Sequence, residues 1–277
     1  MLSHLKITIL VDDKAPDGLT AEHGLAFWIE FGKAKFLFDT GQGAALEGNA
    51  RALGIDLAAA DMVALSHGHY DHSGGLPLVL LRSPGARLHC HPGVMKPRYS
   101  IRDGVVKAIG MPEASRNALD RLPALNRAIE ARPVLWSDHA GLTGPIQRRT
   151  TFETTGGPFF LDPQGTQPDP IEDDQALWVR TSEGVVVVAG CCHSGLINTL
   201  TRVAELSRYD TIRAVIGGFH LLNADGQRLD LTIEALRKFN PGQLIPCHCT
   251  GEGAVKALSA AFGERVIPGR VGNTFEW

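Results

Sequence analysis

The sequence lacks a surplus of charge of either sign and any long apolar run. Its 277 residues carry a formal net charge of −3. That near balance gives no electrostatic reason to expect nucleic acid or a membrane surface as a partner. No stretch approaches the roughly 20 apolar residues of a spanning helix, and the first apolar run is too short for a secretory signal. We therefore expect a cytoplasmic protein that binds neither nucleic acid nor a membrane.

Cysteine is also scarce. An odd count of five in a chain this long does not indicate a disulfide framework. We expect reduced, partly buried thiols, which is the usual state of free cysteine. The five residues are Cys90, Cys191, Cys192, Cys247 and Cys249.

Short apolar strands instead alternate with glycine-containing turns and amphipathic helices along the chain. This order is typical of an α/β fold, whose sites lie where strands end. With 44% hydrophobic residues, the chain can form a sizeable core, and we predict a single domain over residues 1–277. Residues 92–173 are less regular. They predict a long excursion near the active face that includes a helix over about 116–132.

The most specific motif is LSHGHYDHSGG, which follows the apolar run DMVA. It places His67, His69, Asp71 and His72 within six residues. Imidazole nitrogens and carboxylate oxygens are ligands that zinc prefers. Such a cluster in a tight loop after a strand predicts a site for two metal ions, and a polar loop with incidental histidines is the far weaker alternative.

Three further histidines each follow an apolar strand and precede a glycine-containing turn. His193 follows VVVVAG, His220 ends AVIGGFH and His248 ends LIPCH. Parallel strands of one sheet present such ends on a common edge. We expect His193 and His248 to bind metal, whereas His220 is equally suited to binding substrate.

Asp39 ends a strand in KFLFDTGQG. A carboxylate there can accept a hydrogen bond from a metal-bound imidazole or water and fix its orientation. The alternative is a turn aspartate that caps the following helix. Glu22 and His23 could lie near the same edge.

Together these motifs make the chain resemble the metallo-β-lactamase superfamily. The strings EHGL, LFDTGQ, GCCHSGLIN, IGGFHL and PCHCTG resemble, more closely, its 7,8-dihydropterin-6-methyl-4-(β-D-ribofuranosyl)aminobenzene-5′-phosphate synthase branch. The resemblance implies a four-layer αβ/βα sandwich that binds two metal ions, with zinc expected and iron or manganese as alternatives.

One departure from the superfamily pattern concerns the metal ligands. Cys191, Cys192 and His193 stand where a Gly-Asp pair would be typical, and His139 is a weak candidate for a missing histidine. We assign His193 to the first ion with His67 and His69. The bridging ligand stays open between Cys191 and solvent.

The resemblance implies a metal-dependent hydrolase that uses a metal-bound hydroxide on a small phosphorylated or ester substrate, with Asp71, His220 and Asp39 in catalysis. Arginine suits a phosphate. The branch pattern favours Arg148 as the substrate-binding residue over Arg149, Arg98 and Arg102, while His220 could contact the substrate. The alternatives are a transferase that condenses a dihydropterin diphosphate with an aryl-amine ribose phosphate, and a non-enzymatic metal-binding module.

Overall fold

A computed structural model describes residues 4–209 and 211–277. They form two compact units. The N-terminal unit comprises residues 4–131, 158–173 and 270–277, and the C-terminal unit comprises residues 132–157 and 174–269. Each unit has its own sheet and its own core. The single domain expected from the sequence stays a prediction.

The strands of the described residues are short and follow one another closely. They are β1 (Leu5–Val11), β2 (Ala26–Phe31), β3 (Ala34–Phe38), β4 (Met62–Ala64), β5 (Arg87–Cys90), β6 (Tyr99–Arg102), β7 (Val105–Ala108), β8 (Arg127–Ile129), β9 (Val134–Ser137), β10 (Ala140–Leu142), β11 (Phe159–Phe160), β12 (Ala176–Thr181), β13 (Gly184–Ala189), β14 (Ile212–Gly218), β15 (Gln243–Cys247) and β16 (Thr274–Glu276).

The α-helices lie between these strands. They are α1 (Leu46–Ala52), α2 (Tyr70–Ser73), α3 (Leu76–Arg82), α4 (Glu113–Arg121), α5 (Leu196–Ser207), α6 (Gly226–Phe239) and α7 (Glu252–Phe262). Among the described residues, none of these helices has the length and apolar character needed to cross a membrane.

The main sheet of the N-terminal unit has the order β16-β1-β2-β3-β4-β5-β8. Strands β3, β4, β5 and β8 run parallel, and Phe38 pairs with Ala64, which pairs with His89. The residues that follow β3 and β4 therefore leave the sheet at the same edge. That edge carries Asp39 and the segment that begins at Ser66.

The core of this unit follows the two-residue period of its strands. Leu37, Val63 and Leu88 are register partners on neighbouring strands. All three belong to one buried cluster with Leu46 of α1 and Val79 of α3. Burial of this sheet face against helices holds β3 and β4 in place, and with them the loops that follow.

The sheet of the C-terminal unit has the order β15-β14-β13-β12-β10-β9. Strands β13, β14 and β15 are parallel, with Ala189 opposite Gly217 and Gly218 opposite Cys247. Helices α5, α6 and α7 share a buried cluster with this sheet. The three strands end at one edge, as their sequence pattern predicts.

The helix expected over about 116–132 is wrong at both ends. Helix α4 spans Glu113–Arg121, and Arg127–Ile129 forms strand β8. Pro123 explains the early end. Its ring restricts the preceding residue, and Leu122 is accordingly extended, with φ −63° and ψ 132°. Elsewhere in residues 92–173, β6, β7 and β11 form a three-stranded sheet.

Candidate metal centre

In the N-terminal unit, the LSHGHYDHSGG segment forms a tight buried cluster after β4. His69 is the N-cap of the one-turn helix α2, which carries Asp71 and His72. The ring nitrogens His67 Nε2 and His69 Nδ1 lie 2.9 Å apart, and the rings of His67 and His72 are 4.3 Å apart between centroids. All four side chains are buried. The structure therefore brings the three predicted imidazoles of this motif together.

Asp39 organises two of these imidazoles. Its Oδ2 accepts hydrogen bonds from Ser66 Oγ (2.6 Å) and from His72 Nδ1 (2.7 Å). Ser66 Oγ has one hydrogen, which it donates to the carboxylate, because a carboxylate can only accept. Ser66 Oγ must therefore accept a hydrogen bond from His67 Nδ1–H (2.9 Å). Both imidazoles are thereby assigned the tautomer with a lone pair on Nε2. Metal-binding histidines are usually oriented in this way.

The loop between His67 and His69 is anchored at Gly68. Its N–H donates to Asp173 Oδ2 at 2.8 Å. A Cβ at this position would lie 2.2 Å from the carbonyl oxygen of Val94, which only glycine avoids. The anchor is itself buried, because Asp173 pairs with the guanidinium of Arg98.

Arg98 therefore has an internal role, and its assignment as a phosphate candidate is wrong. Its side chain is 2% exposed and pairs with Asp169 (2.9 Å) as well as with Asp173. Both carboxylates offset the cost of burying the guanidinium, which would be several kcal/mol if it were unpaired. Sequence reasoning missed this role because the two acids lie more than 70 residues away.

In the C-terminal unit, the ends of the three parallel strands hold the second cluster. Cys191 and His193 follow β13, His220 follows β14 and His248 follows β15. Ligand atoms of Cys191, His193 and His220 all lie within 4.8 Å of one another. The cluster also contains Cys249, which no sequence motif distinguishes from the buried core thiols.

Several of these residues have a strained backbone. Positive φ angles occur at Asp39 (61°), Cys192 (53°), His220 (46°) and His248 (44°), each just beyond a parallel strand. Non-glycine residues avoid this region unless their surroundings impose it, and such strain concentrates at functional sites. The turns at these strand ends are therefore shaped to direct side chains, at a cost in stability.

The environment of His193 also fits a metal ligand. Its Nδ1 donates to the carbonyl oxygen of Thr155 at 2.9 Å, which leaves the lone pair on Nε2. The same loop closely approaches His220. A Cβ on Gly156 would lie 1.9 Å from His220 Cδ2, so glycine is required there.

Charge states in the two clusters differ from those of exposed side chains. Burial, followed by the nearby Arg98, lowers the pKa of His69 to about 3, so this imidazole stays neutral and able to bind metal. Burial raises the pKa of the Cys192 thiol well above its ordinary value. Burial also opposes ionisation of Cys249, but the contact with Cys191 and the neighbouring His220 outweigh it, so the pKa of Cys249 falls well below its ordinary value.

The remaining arginine candidates separate clearly. Arg149 is ion-paired with Glu205, and Arg102 is exposed on β6. Arg148 is half-buried. Burial lowers the pKa of the Arg228 guanidinium most, and the positive charge of the nearby Arg148 lowers it further. Sequence reasoning missed Arg228, whose position on an amphipathic helix is that of an ordinary surface residue.

The structure also places three weaker site candidates from the sequence, His139, Glu22 and His23. His139 lies in the β9–β10 turn, and its carbonyl oxygen accepts the backbone N–H of Arg180. Arg180 pairs with Val185, which lies at the start of β13. His139 is thus at the opposite end of that strand from Cys191 and cannot join its cluster. Glu22 accepts four backbone N–H groups of residues 42–45, which is a structural role.

His23 lies beside the predicted ligand Asp71. Its Nε2 is 3.2 Å from Asp71 Oδ2, and its Nδ1 is 3.1 Å from Asp13 Oδ2. Asp13, which carries no motif signal, therefore holds His23 in place. Asp71 is in turn oriented by an imidazole from the segment before β2.

Comparisons with known proteins agree with this architecture. The model of the metallo-beta-lactamase superfamily matches residues 19–200, well over half of the chain. The chain therefore belongs to the metallo-β-lactamase superfamily, and the predicted fold class is confirmed. This is a superfamily of enzymes in which the fold implies metal ions, typically zinc.

Individual relatives extend the comparison. The 7,8-dihydropterin-6-methyl-4-(beta-D-ribofuranosyl)-aminobenzene-5′-phosphate synthase of Methanocaldococcus jannaschii is 29% identical, over 95% of this chain and 93% of its own. The crystal structure of Tm1679, described as a metal-dependent hydrolase of the beta-lactamase superfamily, is 32% identical over 98% of both chains, with a TM-score of 0.83. Zn(2+)-bound PqqB from Methylobacterium extorquens shares the fold at 11% identity, with a TM-score of 0.59 over 98% of this chain and 99% of its own.

Proposed function

We propose that this chain is a metal-dependent hydrolase of a small phosphorylated or ester substrate. The proposed metal ligands are the imidazoles and carboxylate at the strand ends of the two units, with Cys191 as an additional ligand. They are His67, His69, Asp71, His72, His193 and His248. The observation that carries the proposal is that His67, His72 and His193 each have the same tautomer. A hydrogen bond at Nδ1 gives each of them a lone pair at Nε2.

The chain's own residues would prepare the centre in three ways. Asp39 keeps His72 in its ligating tautomer directly, and His67 through Ser66. His23 orients Asp71. Two bound ions would lower the pKa of water towards neutrality and offset the charge of departing oxygens.

The proposed substrate is a small anion. Arg148 is the proposed phosphate-binding residue, because it is half-buried and lies near a second guanidinium, that of Arg228. A planar guanidinium can bind two phosphate oxygens at once. His220, just beyond β14 with a positive φ of 46°, is the proposed hydrogen-bond donor to the substrate, because an imidazole N–H can donate to an anionic oxygen.

Metal analysis tests the first part of the proposal. Protein purified without added metal should contain zinc or a similar ion, and His69→Ala should lose both metal and activity. His91→Asn is a suitable control. His91 Nδ1 accepts the Gly93 N–H as a local cap (3.0 Å), and asparagine can replace that contact. Folded wild-type protein that retains no metal after zinc loading would reject the proposal.

A second candidate function is the transferase. Similarity to the synthase of Methanocaldococcus jannaschii over 95% of the chain favours it. The same ligands could stabilise a departing diphosphate while an amine, instead of water, attacks. Metal-loaded protein should be incubated with a dihydropterin diphosphate and an aryl amine. A coupled product would establish transfer, whereas phosphate release without coupling, together with turnover of generic phosphoesters or lactones, would establish hydrolysis.

A further inference from the structure

Two thiols and one imidazole form a compact group at the edge of the C-terminal sheet. Ligand atoms of Cys191, His248 and Cys249 all lie within 4.8 Å of one another. Cys191 and Cys249 are 3% and 8% exposed, and His248 is half-buried. This group overlaps the one formed by Cys191, His193 and His220, because Cys191 belongs to both.

The spacing suits a single metal ion. Zinc binds thiolate sulfur at about 2.3 Å and imidazole nitrogen at about 2.0–2.1 Å, so tetrahedral ligand atoms lie about 3.3–3.8 Å apart. The atoms of Cys191, His248 and Cys249 need to move by no more than about an ångström to reach such distances.

The backbone next to the two cysteines leaves room for their side chains because residue 218 is glycine. A Cβ at Gly218, the last residue of β14, would lie 2.6 Å from Cys249 Sγ and 3.4 Å from Cys191 Cα. Thr250 Oγ1 donates to the carbonyl oxygen of Cys247 (2.7 Å) and accepts from Phe219 N–H (3.0 Å), which fixes the turn that carries Cys249. Cys249 is therefore held in position on both sides.

We propose that Cys191 and Cys249 both bind metal as thiolates, with His248, and make this part of the centre a sulfur-containing site. The inference rests on the proposed metal centre and identifies ligands within it. Each thiol would lose its proton to solvent as its sulfur–metal bond forms, and the two thiolates would balance the charge of one divalent ion. Because Cys191 also belongs to the group with His193 and His220, its thiolate would be the one residue common to both groups. Such ligands favour zinc, cobalt(II) or iron(II) over magnesium or manganese.

Cobalt(II) substitution tests the inference. The metal-free protein would be titrated with cobalt(II) and its absorbance followed from the near ultraviolet to the visible. We expect an intense sulfur-to-cobalt charge-transfer band in the wild type, weakened roughly by half in Cys249→Ala and more strongly in Cys191→Ala. Cys192→Ala is the matched control, because Cys192 lies in the same turn but belongs to the apolar core. Its band should equal that of the wild type.

The outcomes separate the two proposals. Cobalt(II) that binds with visible d–d bands but no charge-transfer band would overturn thiolate ligation and leave the metal centre standing. Failure to bind cobalt(II) or zinc at all would overturn both.

X-ray absorption of the wild-type zinc protein provides a test that needs no variant. A scattering shell at about 2.3 Å beside that at about 2.0–2.1 Å is expected. A spectrum fitted by nitrogen and oxygen alone would refute the inference even if the cysteine variants failed to fold.

Discussion

Asp39→Asn exchanges one carboxylate oxygen for an amide NH₂ at the centre of the N-terminal cluster. The side chain is fully buried, and its two oxygens accept three hydrogen bonds: from Ser66 N–H (2.7 Å), from Ser66 Oγ (2.6 Å) and from His72 Nδ1 (2.7 Å). The amide oxygen can keep the bond to Ser66 N–H. The NH₂ group then faces His72 Nδ1 and Ser66 Oγ as a donor, where an acceptor is needed.

The expected consequence is a change of tautomer. His72 Nδ1 must accept, which places its proton on Nε2, and Ser66 Oγ must donate to His67 Nδ1 with the same result. Loss of such an orienting carboxylate typically lowers metal affinity 10–100-fold, which corresponds to about 1.4–2.8 kcal/mol. Stability of the metal-free protein should fall by about 1–3 kcal/mol, because a buried acceptor for charge-assisted bonds is lost.

Competition with a chromophoric chelator would measure zinc affinity, and long-range ¹H–¹⁵N correlation spectra of the metal-free protein would report the tautomers. Ser66→Ala should give a smaller loss of affinity, since it disturbs only the path to His67. Asp61→Asn is the control, because the Asp61 carboxylate accepts an exposed backbone bond from Lys35 N–H (2.8 Å) that an asparagine oxygen can also accept. Wild-type zinc affinity in Asp39→Asn, with the Nδ1–H tautomer of His72 retained, would refute the reasoning.

Three further predictions concern His89, Arg148 and Gly68. Burial lowers the pKa of His89 to about 4, so below about pH 6.5 the unfolded chain takes up a proton that the folded chain does not. The free energy of unfolding of the metal-free protein should therefore fall by about 2 kcal/mol through this residue between pH 7 and pH 5. In urea unfolding, the free energy of unfolding of His89→Leu should depend less on pH by the same amount. An equal pH dependence in the wild type and the variant would disprove this role of His89. Arg148→Ala should raise KM at least several-fold with metal content unchanged, whereas Arg149→Ala should not, and steady-state kinetics that do not distinguish them would remove Arg148 from substrate binding. Gly68→Ala should lower the free energy of unfolding by more than about 2 kcal/mol and weaken zinc binding, because the alanine Cβ would clash with backbone atoms of Val94. A thermal scan and a zinc titration that both match the wild type would exclude this close approach.

Much of this arrangement could be predicted from local patterns. A parallel strand followed by a turn places its next residues at one edge of the sheet, so the positions of Asp39, His193, His220 and His248 followed from the apolar runs before them. The spacing of His67 to His72 likewise indicated a metal loop, and the structure shows its imidazoles in contact. The placement of these residues depends on neighbours along the chain, which is why local patterns could predict it, and metal binding by the loop stays a prediction.

Partners that lie far apart in the chain could not be predicted in this way. Arg98 looked available for phosphate, but its acids come from residues 169 and 173. Cys249 looked like a core thiol until β13 and β15 placed it beside Cys191. The early end of helix α4 is a different kind of error, because Pro123 is a local signal within the range predicted as helix and could have been used.

The amino-acid sequence by itself determined the superfamily, the alternation of strands and helices, and the ligand-type residues at strand ends, because these depend on composition and on short periodic spacing. Only the tertiary structure decided which arginines are already ion-paired, which nitrogen of each histidine carries the lone pair, and which thiols approach each other. Those properties depend on strand register and on contacts between residues that are mostly 33 to 75 positions apart, where no local pattern carries the information.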